Sequence, residues 1–214
     1  MPATTVCISR TLAAGGEEVG LAVAERLGWR VIDAEIIQRA AEKAEVDPTK
    51  VAQTEQRQSL IRRLISAIAF AEPPGDIAPQ YYAVYPEAAF AVGQTLEERL
   101  RGLIREVIEE VATEGKAVIV AHAASMALAG REGVLKVLVT ASPEERVERL
   151  IWANGLERGA AEAAVRDSDR ERADYFRRFY NLDHELPTHY DLVINTDQIQ
   201  PAQAVNLIVA AATA

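Results

Sequence analysis

Residues 4–20, TTVCISRTLAAGGEEVG, decide the fold of this chain. Thr4 to Ser9 is rich in β-branched residues and carries no charge, which predicts a buried strand. Ala13 to Gly16 is a loop signal, and Glu17 to Leu27 places its apolar residues at the spacing of one helix face. Gly28 predicts the end of that helix. The chain therefore opens with a strand, a glycine-containing turn and a helix.

Outward from this unit, strands and helices alternate. Short apolar runs predict four further strands, at residues 29–32, 117–121, 135–140 and 190–194. Periodicity predicts further helices, at residues 34–44, 95–114, 154–180 and 201–212. One more helix is predicted to start with Ser142 as N-cap, Pro143 at its first position and Glu145 closing a capping box.

This alternation predicts an α/β fold in which a five-stranded parallel sheet lies between two layers of helices. Ligands of such sheets bind beyond the carboxyl ends of the strands. Four segments share that edge, at residues 9–18, 33–36, 121–125 and 140–143. We therefore expect the functional site there.

Composition limits the classes of function. The 214 residues are 49% hydrophobic and 26% charged, which suits one large domain with a sizeable core. The formal charge of -9 argues against a protein built mainly to bind nucleic acid. The one cysteine, Cys7, cannot form an internal disulfide, and no segment reads as a signal peptide or a membrane span. We expect a cytoplasmic protein.

The turn after the first strand is a candidate phosphate-binding loop. The candidate residues surround the two glycines: Arg10, Ala14, Gly15, Gly16, Glu17 and Glu18. In a P-loop, backbone N–H groups cradle phosphate, a lysine reaches the outer phosphates, and Ser or Thr holds magnesium. This chain has no lysine before Lys43, so Arg10 is the nearest cation. The alternative is a tight turn whose two glutamates only favour the helix dipole, by about 0.3–1 kcal/mol each.

A second candidate is an arginine-rich helix. The chain has 19 arginines and four lysines, and eight of the arginines fall between Arg146 and Arg178. Guanidinium groups match phosphate geometry, and Arg166, Asp169 and Arg172 stand three residues apart on one helix. The alternative is a solvated helix with ion pairs between residues three or four apart.

Several stretches, in this order, resemble the cytidylate kinase-like family, a branch of the P-loop nucleoside monophosphate kinases. The matching stretches are residues 7–10, 15–20, 28–37, 118–124, 169–176 and 190–196. The resemblance implies one kinase-like domain with its core in residues 1–45, 95–153 and 187–214. It also implies a helical acceptor-site insert at about 46–94 and an arginine-rich lid at about 154–186.

The resemblance further implies ATP and Mg²⁺ as cofactors and a nucleotide as the small-molecule partner. It implies no metal-ligating side chain in this sequence. Arg166, Arg172 and Arg177, with Asp169, are the expected catalytic residues of the lid. Asp33 and His122 are expected at the acceptor. The helical insert suggests a homodimer.

Three positions depart from the family pattern. Ala13 stands in place of a loop glycine, Glu17 in place of a loop arginine, and His122 in place of an arginine flanked by glycines. These changes remove positive charge or backbone room. Two hypotheses follow: an ATP-dependent phosphotransferase acting on a nucleotide or similar small phosphate acceptor, and a non-catalytic relative that binds an anionic ligand or a protein partner.

Overall fold

A computed structural model describes residues 2–49, 96–120 and 123–214. Within them lies one sheet with the strand order β2-β3-β1-β4-β5. Its strands are β1 (Thr5–Arg10), β2 (Arg30–Ile32), β3 (Ala117–Val120), β4 (Val134–Thr140) and β5 (Leu192–Asn195). Every neighbouring pair of these strands is parallel. The predicted five-stranded parallel sheet is confirmed, and β1 is its central strand.

Seven α-helices lie in the described residues. They are α1 (Gly16–Leu27), α2 (Ala34–Ala44), α3 (Leu96–Glu114), α4 (Ala124–Ala127), α5 (Pro143–Asn154), α6 (Arg158–Tyr180) and α7 (Pro201–Thr213). A 3₁₀ turn, Pro187–His189, precedes β5. The predicted helical insert at 46–94 lies almost wholly outside the described residues.

The core lies on both faces of the sheet. Neighbouring residues of a strand point to opposite faces, and Val6 and Cys7 of β1 belong to two different apolar clusters. Cys7 faces the cluster formed with α2, α3 and α4, whereas Val6 faces the cluster formed with α1 and α7. The three predicted layers are therefore present, and the α/β fold is confirmed.

Helix α1 packs unusually close to the sheet. A Cβ added to Gly20 would lie 2.7 Å from Cγ2 of Val120, closer than real Cβ contacts. Glycine at this position therefore allows the helix that follows the first loop to rest directly on β3. This close packing fixes where the helix begins relative to the carboxyl edge of the sheet.

The start of α5 follows the prediction only in part. The Ser142 hydroxyl accepts from the Glu145 N–H at 3.3 Å, and Pro143 occupies the first turn. The Glu145 carboxylate does not close the capping box, because the Ser142 amide donates instead to Oδ1 of Asp197 at 2.8 Å. Glu145 accepts from Nε of Arg149 at 3.2 Å. That arginine is thereby held toward the carboxyl edge, where it contacts the first loop.

The first part of the predicted lid is a helix that packs against α5. Gly155 ends α5 in the left-handed conformation, at φ 64°, and α6 starts three residues later. The two helices share a buried apolar cluster, against which the partly buried Leu12 and Ala13 of the first loop also pack. The first half of α6 is therefore anchored to α5 and the loop. No described helix is both long and apolar enough to span a bilayer.

Candidate functional site

The loop between β1 and α1 has the backbone shape of an anion-binding turn. Ala13 and Gly15 are both left-handed, at φ 59° and 78°. A Cβ on Gly15 would meet no atom within 4 Å, so glycine is favoured there by conformation and not by space. Gly16 differs, since its Cβ would lie 2.6 Å from Cβ of Arg10. Ala13, although not a glycine, keeps the left-handed turn.

The carbonyl groups of this loop are held by donors from distant parts of the chain. Nη1 of Arg149 donates to the Ala13 carbonyl at 3.3 Å, and the Thr196 hydroxyl donates to the Ala14 carbonyl at 3.0 Å. Arg149 also donates through Nη2 to the Thr196 carbonyl at 2.7 Å. These hydrogen bonds join two carbonyls of the loop to α5 and to the residue that follows β5.

The amides at the start of α1 have no hydrogen-bond acceptor in the part of the chain that the structure describes, although the Ala14 amide before them bonds the Thr11 carbonyl at 3.2 Å. Helix α1 starts at Gly16, and no side chain caps it. Among the described residues, no group accepts a hydrogen bond from the amides of residues 15–18, whereas the Val19 amide already bonds the Gly15 carbonyl. Free N–H groups at a helix N-terminus, together with the helix dipole, attract anions. The loop therefore has the backbone chemistry of a phosphate site.

The side chains at the helix start have the opposite charge. The Glu17 carboxylate accepts from Nη2 of Arg10, and Glu17 is 62% exposed whereas Arg10 is 25% exposed. Nε of Arg10 is buried and has no hydrogen-bond partner among the described residues. Glu18 is exposed. The predicted phosphate-binding residues thus lie together, with one cation engaged by a carboxylate of the same loop.

Among the four predicted catalytic residues of α6, Arg172 is the one for which the described structure shows a hydrogen bond to the end of β1, where the loop begins. Its Nη1 donates to the Arg10 carbonyl at 3.0 Å. Its Nε and Nη2 each donate to the Glu185 carboxylate at 2.7 Å, and Nη2 also reaches the Tyr190 hydroxyl at 3.4 Å. The guanidinium lies 4.7 Å from the centroid of the Phe176 ring. Arg172 therefore joins α6 to the end of β1.

Burial and charge oppose each other in this cluster. Burial acts to lower the pKa of Arg172, but the hydrogen bonds and charge of Glu185 outweigh it, so that pKa is raised. Burial acts to raise the pKa of Glu185, but Arg172 outweighs it and the pKa is lowered. Burial raises the pKa of Tyr190, whose hydroxyl donates to Glu185. The cluster is thus a charged pair with a neutral phenol.

The other predicted catalytic residues do not meet at the loop. Asp169 accepts from both terminal nitrogens of the buried Arg146, at 2.8 and 2.5 Å, and so joins α6 to α5. Arg177 pairs with Asp174 at 3.0 Å on the exposed surface. Arg166 is exposed. Part of α6 therefore matches the alternative, a solvated helix with ion pairs.

The two predicted acceptor residues have different outcomes. Asp33 follows β2, two strands from β1, and is exposed. It occupies the N-cap position of α2, but its side chain makes no capping hydrogen bond. His122 lies outside the described residues. The acceptor roles of both stay predictions.

The sequence analysis did not identify the residues that donate hydrogen bonds to the loop carbonyls, Arg149 and Thr196. Arg149 lies in the arginine-rich stretch, but only its fold position brings it to Ala13. Thr196 follows the last strand and so lies at the carboxyl edge of the sheet, where ligands bind; this position is the one signal in the sequence that could have identified it. Glu185 and Tyr190 gave no signal that separates them from other polar residues.

The donor set for a metal is sparse. Within the described ranges, no group of three or more His, Cys, Asp or Glu residues could hold a metal ion. Mg²⁺ is commonly held by one or two carboxylates and by the phosphates of its substrate. The Glu17 carboxylate is engaged by Arg10, so the phosphates of the substrate would supply most of the ligands of Mg²⁺ at this loop.

Comparison with known proteins supports the fold. An uncharacterized protein from Eubacterium ventriosum ATCC 27560 has a TM-score of 0.63 at 13% identity, with 97% of each chain covered. A gluconokinase from Sinorhizobium meliloti 1021 has a TM-score of 0.52 at 12% identity, covering 97% of this chain and 90% of that one. At these identities the similarity shows the fold alone.

A curated relative matches part of the chain. The uronate isomerase of Corynebacterium glutamicum is 30% identical over 105 residues, which are 49% of this chain and 20% of that protein. The match therefore spans about a fifth of that relative's length, and it does not show that this chain has the relative's activity.

A family model described as the cytidylate kinase-like family matches residues 5–198. This match includes the loop, the central sheet and the arginine-rich helix, in the order seen in the structure. The chain therefore belongs to the cytidylate kinase-like family and has the fold of the P-loop kinases.

Proposed function

We propose that the protein is an ATP-dependent phosphotransferase that acts on a nucleotide or a similar small phosphate acceptor. One observation carries the proposal: the amides of residues 15–18 are uncapped and free among the described residues, at the N-terminus of α1. The helix dipole adds positive potential at the same point. Phosphoryl transfer depends mainly on positioning and electrostatic stabilisation, which such a loop supplies.

The chain's own residues have distinct roles in this proposal. The loop amides bind the donor phosphates, while Arg149, Thr196 and Arg172 hold the loop by its carbonyls. Arg166 and Arg177 are exposed cations of α6 and are proposed to neutralise phosphate charge. Magnesium, carried by the ATP phosphates, supplies charge neutralisation when bound.

A second candidate is a relative that binds phosphate but does not transfer it. The observation that favours it is Glu17, since the loop has a carboxylate where a P-loop has a cation. A carboxylate 4 Å from a phosphate charge costs about 1 kcal/mol in water and about 4 kcal/mol at an effective dielectric of 20. Removing one transition-state cation lowers phosphoryl transfer by about 10³–10⁵. Binding without turnover is the signature of this candidate.

Calorimetric titration with ATP and Mg²⁺, followed by a coupled assay on a panel of nucleoside monophosphates, separates the candidates. Binding with turnover supports the phosphotransferase, and binding alone supports the second candidate. The absence of heat and of turnover at high protein concentration contradicts both.

A variant pair ties any binding to the loop. Arg149→Met frees the carbonyls of Ala13 and Thr196 and is expected to weaken ATP binding. Arg131→Met is the matched control, because Arg131 bonds the Thr113 hydroxyl on α3, away from the loop. Equal affinities for the two variants would place the ATP site elsewhere.

The homodimer, the cytoplasmic location and the nucleotide identity of the acceptor are parts of the same proposal. Sedimentation analysis at several protein concentrations tests the dimer. The monophosphate panel tests the acceptor.

A further inference from the structure

The ion pair between Arg10 and Glu17 spans the phosphate loop. Arg10 is the last residue of β1, and Glu17 is the second residue of α1. Cβ of Arg10 stands 2.6 Å from the place that a Cβ on Gly16 would take, so the arginine side chain runs along the first residue of the helix. Its Nη2 donates to Glu17, beside the free amides. The Arg10 guanidinium is thus bonded to the Glu17 carboxylate at the place where a phosphate group is expected to bind.

The main chain of Arg10 is also held in place, by a hydrogen bond from Arg172. Arg172 bonds the Arg10 carbonyl at 3.0 Å, and Nε of Arg10 is buried without a partner among the described residues. The main chain of Arg10 is therefore fixed, and one outer nitrogen of its side chain, Nη2, bonds the carboxylate. Glu17 is 62% exposed and has room to leave.

We infer that Glu17 is an internal competitor for phosphate, which holds the Arg10 guanidinium until a phosphate group displaces it. The inference rests on the proposed function, because it assigns Glu17 a role at the same site. Glu17 thereby lowers the affinity of the loop for phosphate, and lowers it more for ligands of higher negative charge.

Two physical effects point in this direction. Guanidinium binds carboxylate and phosphate through the same fork of donors, so one arginine cannot fully serve both. The displaced carboxylate then repels the bound phosphate, and Coulomb repulsion grows with the charge of the ligand. Because Glu17 is largely exposed, added salt screens this repulsion.

The test compares Glu17→Gln with Glu25→Gln. Both remove one negative charge from α1, but Glu25 is exposed in the last turn, far from the loop. Calorimetry with ATP and Mg²⁺, and with inorganic triphosphate and inorganic phosphate, is run at low and at high salt. We expect E17Q to bind ATP about tenfold more tightly, which equals about 1.4 kcal/mol. The gain is larger for triphosphate than for phosphate and shrinks at high salt, whereas E25Q binds as the wild type does.

The outcomes separate this inference from the proposed function. Wild type and E17Q binding ATP equally would overturn the inference and leave the proposed function standing. E25Q gaining as much as E17Q would also overturn it, since net charge would then be the cause. Binding by E17Q alone supports the inference. If neither wild type nor E17Q binds any of the three phosphates, the inference and the proposed function both fail. Thermal melting checks that each variant is folded.

Discussion

Replacing Arg172 with methionine tests whether the loop is held by the cluster behind it. The change removes two hydrogen bonds of 2.7 Å to Glu185 and one of 3.0 Å to the Arg10 carbonyl. It leaves the Glu185 carboxylate, only 20% exposed, without its cation. Removing one partner of a fully buried pair costs about 3–5 kcal/mol.

Because both side chains keep some exposure, we expect a loss of about 2–4 kcal/mol in the free energy of unfolding. For a chain of this size, each kcal/mol shifts the melting temperature by about 2–4 °C, so R172M should melt about 4–16 °C lower. Urea denaturation followed by circular dichroism measures the free energy directly. The double variant R172M/E185M should recover part of the loss, because neither charge is then left unpaired.

Arg177→Met is the matched control on the same helix. Its pair with Asp174 is more than half exposed on both sides, so its loss costs about 0.2–1 kcal/mol. A value for R172M no larger than that of R177M would refute the view that Arg172 anchors the loop. So would a double variant that is less stable than the sum of the single changes predicts.

Three further predictions follow from the same contacts. Because Arg172 lowers the pKa of Glu185, this carboxylate stabilises the fold above its unfolded-state pKa of about 4.3, and the contribution is lost as pH falls through the lower folded value. The wild type should therefore lose more stability than E185Q between pH 5 and pH 3, and parallel urea midpoints would contradict this. Burial raises the pKa of the Cys7 thiol to about 12, so it should react with a thiol reagent only when urea unfolds the chain; rapid labelling of the native protein would show otherwise. Gly20→Ala should destabilise by about 1–3 kcal/mol through its contact with Val120, whereas Gly102→Ala, which meets no atom within 4 Å, should stabilise by up to about 1 kcal/mol; melting temperatures that shift the same way would disprove the close packing.

The fold could be predicted because its signals are local. Each strand is a short apolar run, and glycine or proline marks several of the helix ends, such as Gly28, Pro143 and Gly155, so the alternation and the parallel sheet follow from pattern. The predicted first strand, Thr4 to Ser9, differs from the observed Thr5–Arg10 by one residue at each end. Such differences arise because local pattern does not encode where sheet hydrogen bonds end.

The site could be predicted only in part, because its contacts join distant residues. The Thr196 hydroxyl bonds the Ala14 carbonyl across 182 residues of sequence. Helical spacing groups Asp169 with Arg166 and Arg172, yet its partner is Arg146 on the preceding helix. Spacing shows which side chains share a helix, but tertiary packing decides which of their charges pair.

The central claim is that the amides at the start of α1 bind phosphate, and amide nuclear magnetic resonance tests it most directly. Titration of the labelled protein with ATP and Mg²⁺ should move the N–H signals of Gly15, Gly16, Glu17 and Glu18 the most, and saturate them at one ligand per chain. Signals of these four amides that stay fixed while others move, or that stay fixed together with all the rest, would contradict the claim.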